Sequence, residues 1–212
     1  MIKDTQGTLH VSGTGKVQVA PDEAVVHLGV VSDGKTAAEA VTSNARETQA
    51  VIDAVSSQPN HGVTTLGLSV NPIVEYNATT SVGTIVGFRA TNGVDVRTKI
   101  GYAGLIYDAG IAAGATQSSG ITFRVQHEAP HREAALRLAV EVAYREANIV
   151  ALAAKVVLEG PESIQIDAGG GRLVYRAGAL DARSVATPTA PEDLTIAASV
   201  QIQFRTRPHH GA

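Results

Sequence analysis

Residues 11–40, VSGTGKVQVAPDEAVVHLGVVSDGKTAAEA, constrain the fold more than any other stretch, because they encode strand, turn, strand, loop and capped helix in order. Leu9, Val11, Gly13, Gly15, Val17 and Val19 lie on one side of a period-two pattern, with polar residues mostly between them. Half of the central part of that face is glycine. Gly13 and Gly15 remove side chains where another backbone or a strong bend needs room, and Pro21, which offers no ladder donor, ends the run. Pro21-Asp22-Glu23 reads as a turn. Val26, Leu28 and Val30 then point one way until the chain pauses at Asp33-Gly34. Thr36 with Glu39 three residues on forms a capping box. Ala38, Val41, Ala45, Thr48, Ile52 and Val55 follow at helical spacing and predict a buried stripe.

The rest of the chain continues in the same grammar. Residues 63–74 read as a strand that Pro72 confines to a sheet edge or distorts near its end. Residues 76–82 read as an exposed hairpin tip. Val86, Phe88, Ala90, Asn92, Val94 and Val96 share one face of a long strand, opposed by Arg89, Thr91, Asp95 and Arg97. A short helix over 102–113, with Leu105, Ala109 and Ala112 at helical spacing, ends at Gly114. A strand carries Ile121, Phe123 and Val125. Pro130 opens the longest helix, from about His131 to Val156, with Leu136, Ala139, Ala143, Ala147, Val150 and Ala154 as its buried stripe. A strand within 163–175 is interrupted by Gly169-Gly170-Gly171, and 177–191 is loop-like. Leu194, Ile196, Ala198, Val200, Ile202 and Phe204 then alternate without a break, and 207–212 reads as a frayed tail. The order ββαββαβαββ, with a weak internal pseudo-repeat, predicts an α+β fold in which helices pack on one face of an antiparallel or mixed sheet.

Composition narrows the function classes. The 212 residues suffice for a substantial core. At 4% aromatic residues, that core must be built from Ala, Val, Leu and Ile. A net charge of −3 and a pI near 6.1, without a Lys/Arg cluster, argue against general nucleic-acid binding. The absence of cysteine excludes disulfides, thiolate metal sites and cysteine nucleophiles. No run approaches the roughly 18 apolar residues of a membrane span. The opening MIKDTQGTLH has no basic-then-apolar leader, so as written the chain is expected to be cytoplasmic, and periplasmic or exported if it is a trimmed mature form.

Several short motifs invite a chemical reading. His127-Glu128-Ala129-Pro130-His131 matches HExxH, which binds zinc when both histidines share one helical face. Pro130 disfavours the helical conformation at Ala129, so the motif is expected to straddle a strand end and a helix start. Gly13-Thr14-Gly15-Lys16 fails as a phosphate loop, since position 10 is His and Val17 follows the lysine; a glycine bulge within a strand is the better reading. Gly169-Gly170-Gly171-Arg172 reads as a hairpin rather than an anion site. His27 lies opposite Val26, Leu28 and Val30, which places it at the surface or an interface. His209 and His210 sit in the tail. Asp22 and Glu23, adjacent on a turn, are expected to diverge rather than act as a carboxylate pair. Asn77-Ala78-Thr79 has the form of a glycosylation acceptor.

Taken in order, certain runs carry a family resemblance. They are Val11-Ser12-Gly13-Thr14-Gly15, Pro21-Asp22-Glu23-Ala24, Thr36-Ala37-Ala38-Glu39-Ala40 and Gly87-Phe88-Arg89-Ala90-Thr91-Asn92. Ala112-Ala113-Gly114-Ala115 leading into Gly120-Ile121-Thr122-Phe123, the Ala-rich helix and the last strand after Pro191-Glu192 complete the set. From about Leu9 to Arg207 the chain resembles the SIMPL domain family, formerly a domain of unknown function. The resemblance implies a single domain over 8–207 with flexible termini at 1–7 and 208–212. It also implies export, ring-like or channel-like homo-oligomers, envelope or oxidative-stress roles in bacteria and a kinase-adaptor role in an animal relative. It carries over no catalytic, cofactor or metal residue.

The expectation is therefore a non-enzymatic bacterial protein, without cofactor, that binds copies of itself as a scaffold or interaction module. Two other readings are a small-ligand binder with a pocket between the sheet and the long helix, and a zinc hydrolase using His127, Glu128 and His131.

Overall fold

The computed structural model describes residues 7–77, 82–167 and 191–209. Their order is β1 (Gly7–Val19), β2 (Glu23–Gly34), α1 (Ala37–Ser56), β3 (Gly62–Tyr76), β4 (Gly83–Thr98), α2 (Ala103–Ala112), β5 (Gln117–Arg124), α3 (Glu128–Ala153), β6 (Val156–Ile166) and β7 (Leu194–Pro208). A 3₁₀ turn over Ile100–Tyr102 precedes α2. This is the expected α+β class and the expected element order. The strands form two antiparallel sheets, β1-β7-β6 and β3-β4-β2-β5. One compact unit holds β1, α3, β6 and β7, and the other holds β2 to β5 with α1 and α2.

In the four-stranded unit, α1 begins at the capping box. Thr36 Oγ1 accepts from the Glu39 N–H at 3.2 Å, and Glu39 Oε2 accepts from the N–H groups of Thr36 and Lys35. Removing that hydroxyl strands a helix-end donor, so Thr36→Ala is expected to cost about 1 kcal/mol, read by chemical denaturation. The core joins Val26, Leu28 and Val30 of β2, Val94 and Val96 of β4, Val51 and Val55 of α1 and Ile106 of α2.

The buried stripe of α1 is Ala40, Asn44, Thr48, Val51 and Val55, whereas Ala38 and Ala45, expected inside, are exposed. The reason is a polar residue in the core. Asn44 Nδ2 donates to the carbonyls of Val30 at 2.9 Å and Ala90 at 3.3 Å, fastening the helix to two strands. Counting apolar residues alone therefore sets the phase one residue off. In α2 the buried face is Ala103, Gly104, Ile106 and Gly110, while Leu105 and Ala112 are exposed. Any side chain at 110 would meet Leu28, which fixes the phase. Gly114 follows the helix with φ +108°, the left-handed stop that its position predicts.

In the three-stranded unit, α3 lies on the sheet through Ala135, Ala139, Ala143, Ala147 and Ala151, one alanine every fourth residue. Leu136 packs at the side of this core, while Val150 and Ala154, expected within the stripe, are exposed. Across from the alanines are Val200, Ile202 and Phe204 of β7, with Tyr144 edge-on to Phe204 at 5.1 Å. A Cβ on Gly13 would overlap the Ala139 carbonyl, and one on Gly15 the Ala135 carbonyl. The glycines of β1 thus serve the close backbone approach that their spacing predicts.

Three expected boundaries are corrected. α3 ends at Ala153 rather than Val156, because Lys155 adopts φ 55° and turns the chain back. The following strand, β6 at Val156–Ile166, begins earlier than the expected 163, since Val156, Val157 and Leu158 pair with Pro208, Arg207 and Thr206. That pairing also carries β7 through Arg207 and Pro208, which had read as tail. Pro161 is tolerated because β6 is an edge strand whose register shifts there. Residues 168–175, with Gly169 to Arg172, lie outside the described residues.

Candidate functional site

The four-stranded sheet has helices on one face, and its other face carries a row of polar groups along β2. Alternation puts Glu23, His27 and Asp33 on that side, opposite Val26, Leu28 and Val30. Each meets partners on neighbouring strands. At one end Asp33 is directly across from Arg89, and both carboxylate oxygens accept from the guanidinium at 2.8 Å. That bidentate pair holds the Asp33 carboxyl below its ordinary value.

In the middle of the row, His27 faces Asp95 across the β2–β4 pair. His27 Nδ1 lies 2.7 Å from Asp95 Oδ1, and its Nε2 lies 2.9 Å from Thr122 Oγ1 on β5. About a quarter of the His27 side chain remains exposed. The β2–β5 register shifts between His27 and Leu28, leaving Ser119 without a partner residue in β2. Ser118 Oγ donates to the His27 carbonyl at 2.6 Å and accepts from the Gly120 N–H, which pins the bulge. The imidazole, Asp95 and Thr122 line an open groove of about 600 Å³ together with Leu66, Gln117 and Ser119.

At the other end Glu23 is 1% exposed, although it opens its strand. Its Oε2 accepts from Arg124 Nε at 2.5 Å, and its Oε1 lies 3.1 Å from His61 Nδ1. Burial works to raise this carboxyl's pKa. The hydrogen bonds from Arg124 and His61 and the charges of Arg124 and Arg97 outweigh burial and hold it below its ordinary value. The cluster closes the sheet end, where the Asp22 N–H also donates to the Arg124 carbonyl. Asp22 and Glu23 diverge as expected, but the burial of Glu23 was not readable from a turn.

A different surface lies beyond the polar row. β2 stops pairing with β4 at Gly34 and Phe88, yet β3 and β4 stay paired out to Tyr76 and Gly83. This leaves a two-stranded arm past the sheet body. Val74, Tyr76, Val82, Ile85 and Val86 on it are 38%, 73%, 61%, 58% and 48% exposed. β3 is also an edge strand, so its outer backbone groups have no neighbour in the sheet. Leu66 and Leu68 extend the exposed apolar residues along it.

The other sequence candidates separate. His127 is the residue before α3, while Glu128 and His131 fall in its first turn with Pro130, so HExxH straddles a helix start as its proline predicts. Among the described residues no group of three His, Asp or Glu side chains is placed to hold a metal ion. Gly13, Gly15 and Lys16 lie within β1, but the expected glycine bulge is absent: β1 and β7 pair residue for residue through all three, and the glycines make room for the α3 backbone instead. His209 follows β7 and its N–H donates to the Lys155 carbonyl, whereas His210 lies outside the described residues. Asn77 closes the arm by donating to the Val82 carbonyl, and Ala78 and Thr79 lie outside the described residues. No described helix is long and apolar enough to cross a membrane.

The chain is similar to the 26 kDa periplasmic immunogenic proteins of Brucella melitensis and Brucella abortus, each 28% identical over 154 residues. The matched stretch is 70% of this chain, and it spans 62% of the length of either relative. The sequence model of the SIMPL family, described as a protein of unknown function (DUF541), matches residues 9–204. With the match covering both sheets and every α-helix among the described residues, the chain belongs to the SIMPL family.

Proposed function

We propose that this protein acts by assembling with copies of itself into a scaffold or interaction module of the bacterial envelope, with a role in stress resistance. The observation that carries the reading is the β3–β4 arm. Five large apolar side chains stand exposed on a two-stranded projection whose outer edge offers unpaired backbone groups. An isolated hairpin is marginally stable in water, and monomers rarely expose contiguous apolar patches larger than a few hundred Å². A second copy supplies both an apolar cover and a matching edge. The periplasmic naming of the two Brucella relatives supports an envelope location. Such a role requires no turnover.

The ligand-binding reading gains nothing from the helix–sheet contact, because the α3 and β1 backbones meet at Gly13 and Gly15 and fill the space there. Substituting the arm tests the assembly reading. Tyr76→Ser with Ile85→Ser is expected to lower the mass measured by light scattering at micromolar concentration from a multiple of 21.9 kDa to that of one chain. A wild-type protein that stays monomeric over that range removes the proposal.

A further inference from the structure

Asp95, His27 and Thr122 stand in line across β4, β2 and β5, joined at 2.7 and 2.9 Å. The carboxylate of Asp95 only accepts, so Nδ1 of His27 carries the proton of that bond. In the neutral ring Nε2 is then bare and accepts from the Thr122 hydroxyl. Carboxylate, imidazole and hydroxyl in this order prepare an oxygen nucleophile. The imidazole takes the hydroxyl proton as the oxygen attacks, and the carboxylate holds the ring in the required tautomer and stabilises the imidazolium. All three groups line the open groove of about 600 Å³, so a reacting molecule can reach the hydroxyl. Apart from the Asp95–His27 pair the lining is uncharged, with Leu66 as an apolar wall and Gln117, Ser118 and Ser119 as neutral polar groups. That environment suits a small uncharged acyl donor.

We propose that Thr122 is an acyl-accepting hydroxyl activated by His27, and that the groove takes small uncharged esters. In the first half-reaction Thr122 Oγ forms a bond to the acyl carbon while its proton passes to His27 Nε2. The tetrahedral centre then expels the alcohol oxygen, which leaves with that proton. In the second half, water attacks the threonyl ester, its proton passes to His27, and Thr122 leaves as the restored hydroxyl. Asp95 touches neither reacting atom and is a positioning residue. This activity goes beyond the assembly role and does not depend on it.

The test uses the full chain and p-nitrophenyl acetate, with p-nitrophenol release followed by absorbance and the protein by intact mass and peptide mapping. The expected result is one acetyl group on Thr122, with Thr122→Ser still labelled and Thr122→Val unlabelled at that peptide. His27→Gln is expected to slow acetylation by about 100-fold or more. Asp95→Asn should lower the maximal rate without changing the ester concentration at half-saturation or the thermal midpoint, since it disturbs only the tautomer. Labelling confined to lysines or to His27, a wild type that is unlabelled at Thr122 and releases p-nitrophenol no faster than Thr122→Val or His27→Gln, or equal acetylation of Thr122 in wild type and His27→Gln would overturn the proposal. Should Thr122→Val fail to fold, the Thr122→Ser and His27→Gln comparison decides alone.

Discussion

Gly13→Ala and Gly15→Ala are each expected to destabilise the three-stranded unit by about 3 kcal/mol, at the upper end of ordinary overpacking costs. A methyl at either site overlaps a backbone carbonyl of α3, at Ala139 or Ala135, rather than the end of a side chain that can rotate away. Either the whole helix lifts off the sheet, losing contacts along Val200, Ile202 and Phe204, or β1 shifts and strains its pairing with β7. The same logic runs from the helix side. Ala139 is fully buried, so Ala139→Leu is expected to cost a comparable amount. Gly101→Ala is the control, because a Cβ there meets nothing within 4 Å. Thermal unfolding reads the series, with a drop of roughly 10 °C for each core glycine and little change for Gly101. Equal midpoints for all of them would remove the close-approach account.

The second large effect concerns Glu23. Replacing it with alanine leaves Arg124 and His61 facing an empty site at the closed sheet end, and breaking such a buried pair costs about 3 kcal/mol. The lower part of the usual range applies because Arg124 is 40% exposed and water recovers some of its hydration. The pH dependence has a definite sign. Since the folded-state pKa of Glu23 lies below its ordinary 4.5, the unfolded chain binds the proton more readily. Its stabilisation is therefore complete above that ordinary value and is lost as the pH falls below it, through the folded-state pKa. Denaturant midpoints measured from pH 6 down to about pH 3 are expected to fall more steeply for the wild type than for Glu23→Gln. Parallel curves would show that the cluster adds nothing to acid stability.

Much of this architecture was legible because its signals are local. The Thr36 and Glu39 box, the alternation of β7 and the paired glycines of β1 each depend on backbone chemistry within a few residues. What escaped reading depended on partners far along the chain. Apolar spacing mis-phases the stripe of α1 because Asn44 finds its acceptors on two strands, which no apolar count reveals. β6 begins at Val156, earlier than the expected Ser163, because its pairing with the end of β7 decides its position.

The site followed the same division. Alternation alone puts His27 and Asp95 on faces opposite their apolar neighbours, but only the register of three strands sets His27 between Asp95 and Thr122. In sequence Glu23 reads as a turn residue, whereas its burial arises from Arg124, a hundred residues away, and from His61. The exposed arm had a partial signal, since residues 76–82 read as a hairpin tip. Its length past the sheet emerges only from where β2 stops pairing.

The assembly account rests on the arm being covered in solution, and hydrogen exchange of the full chain at high and low concentration measures that cover directly. In the concentrated sample the amides of the outer edge of β3 and of residues 82–87 are predicted to exchange more slowly than on dilution, while those of β2 stay unchanged. Identical exchange along the arm at both concentrations, in a protein whose mass falls on dilution, would contradict the account and place the contact elsewhere.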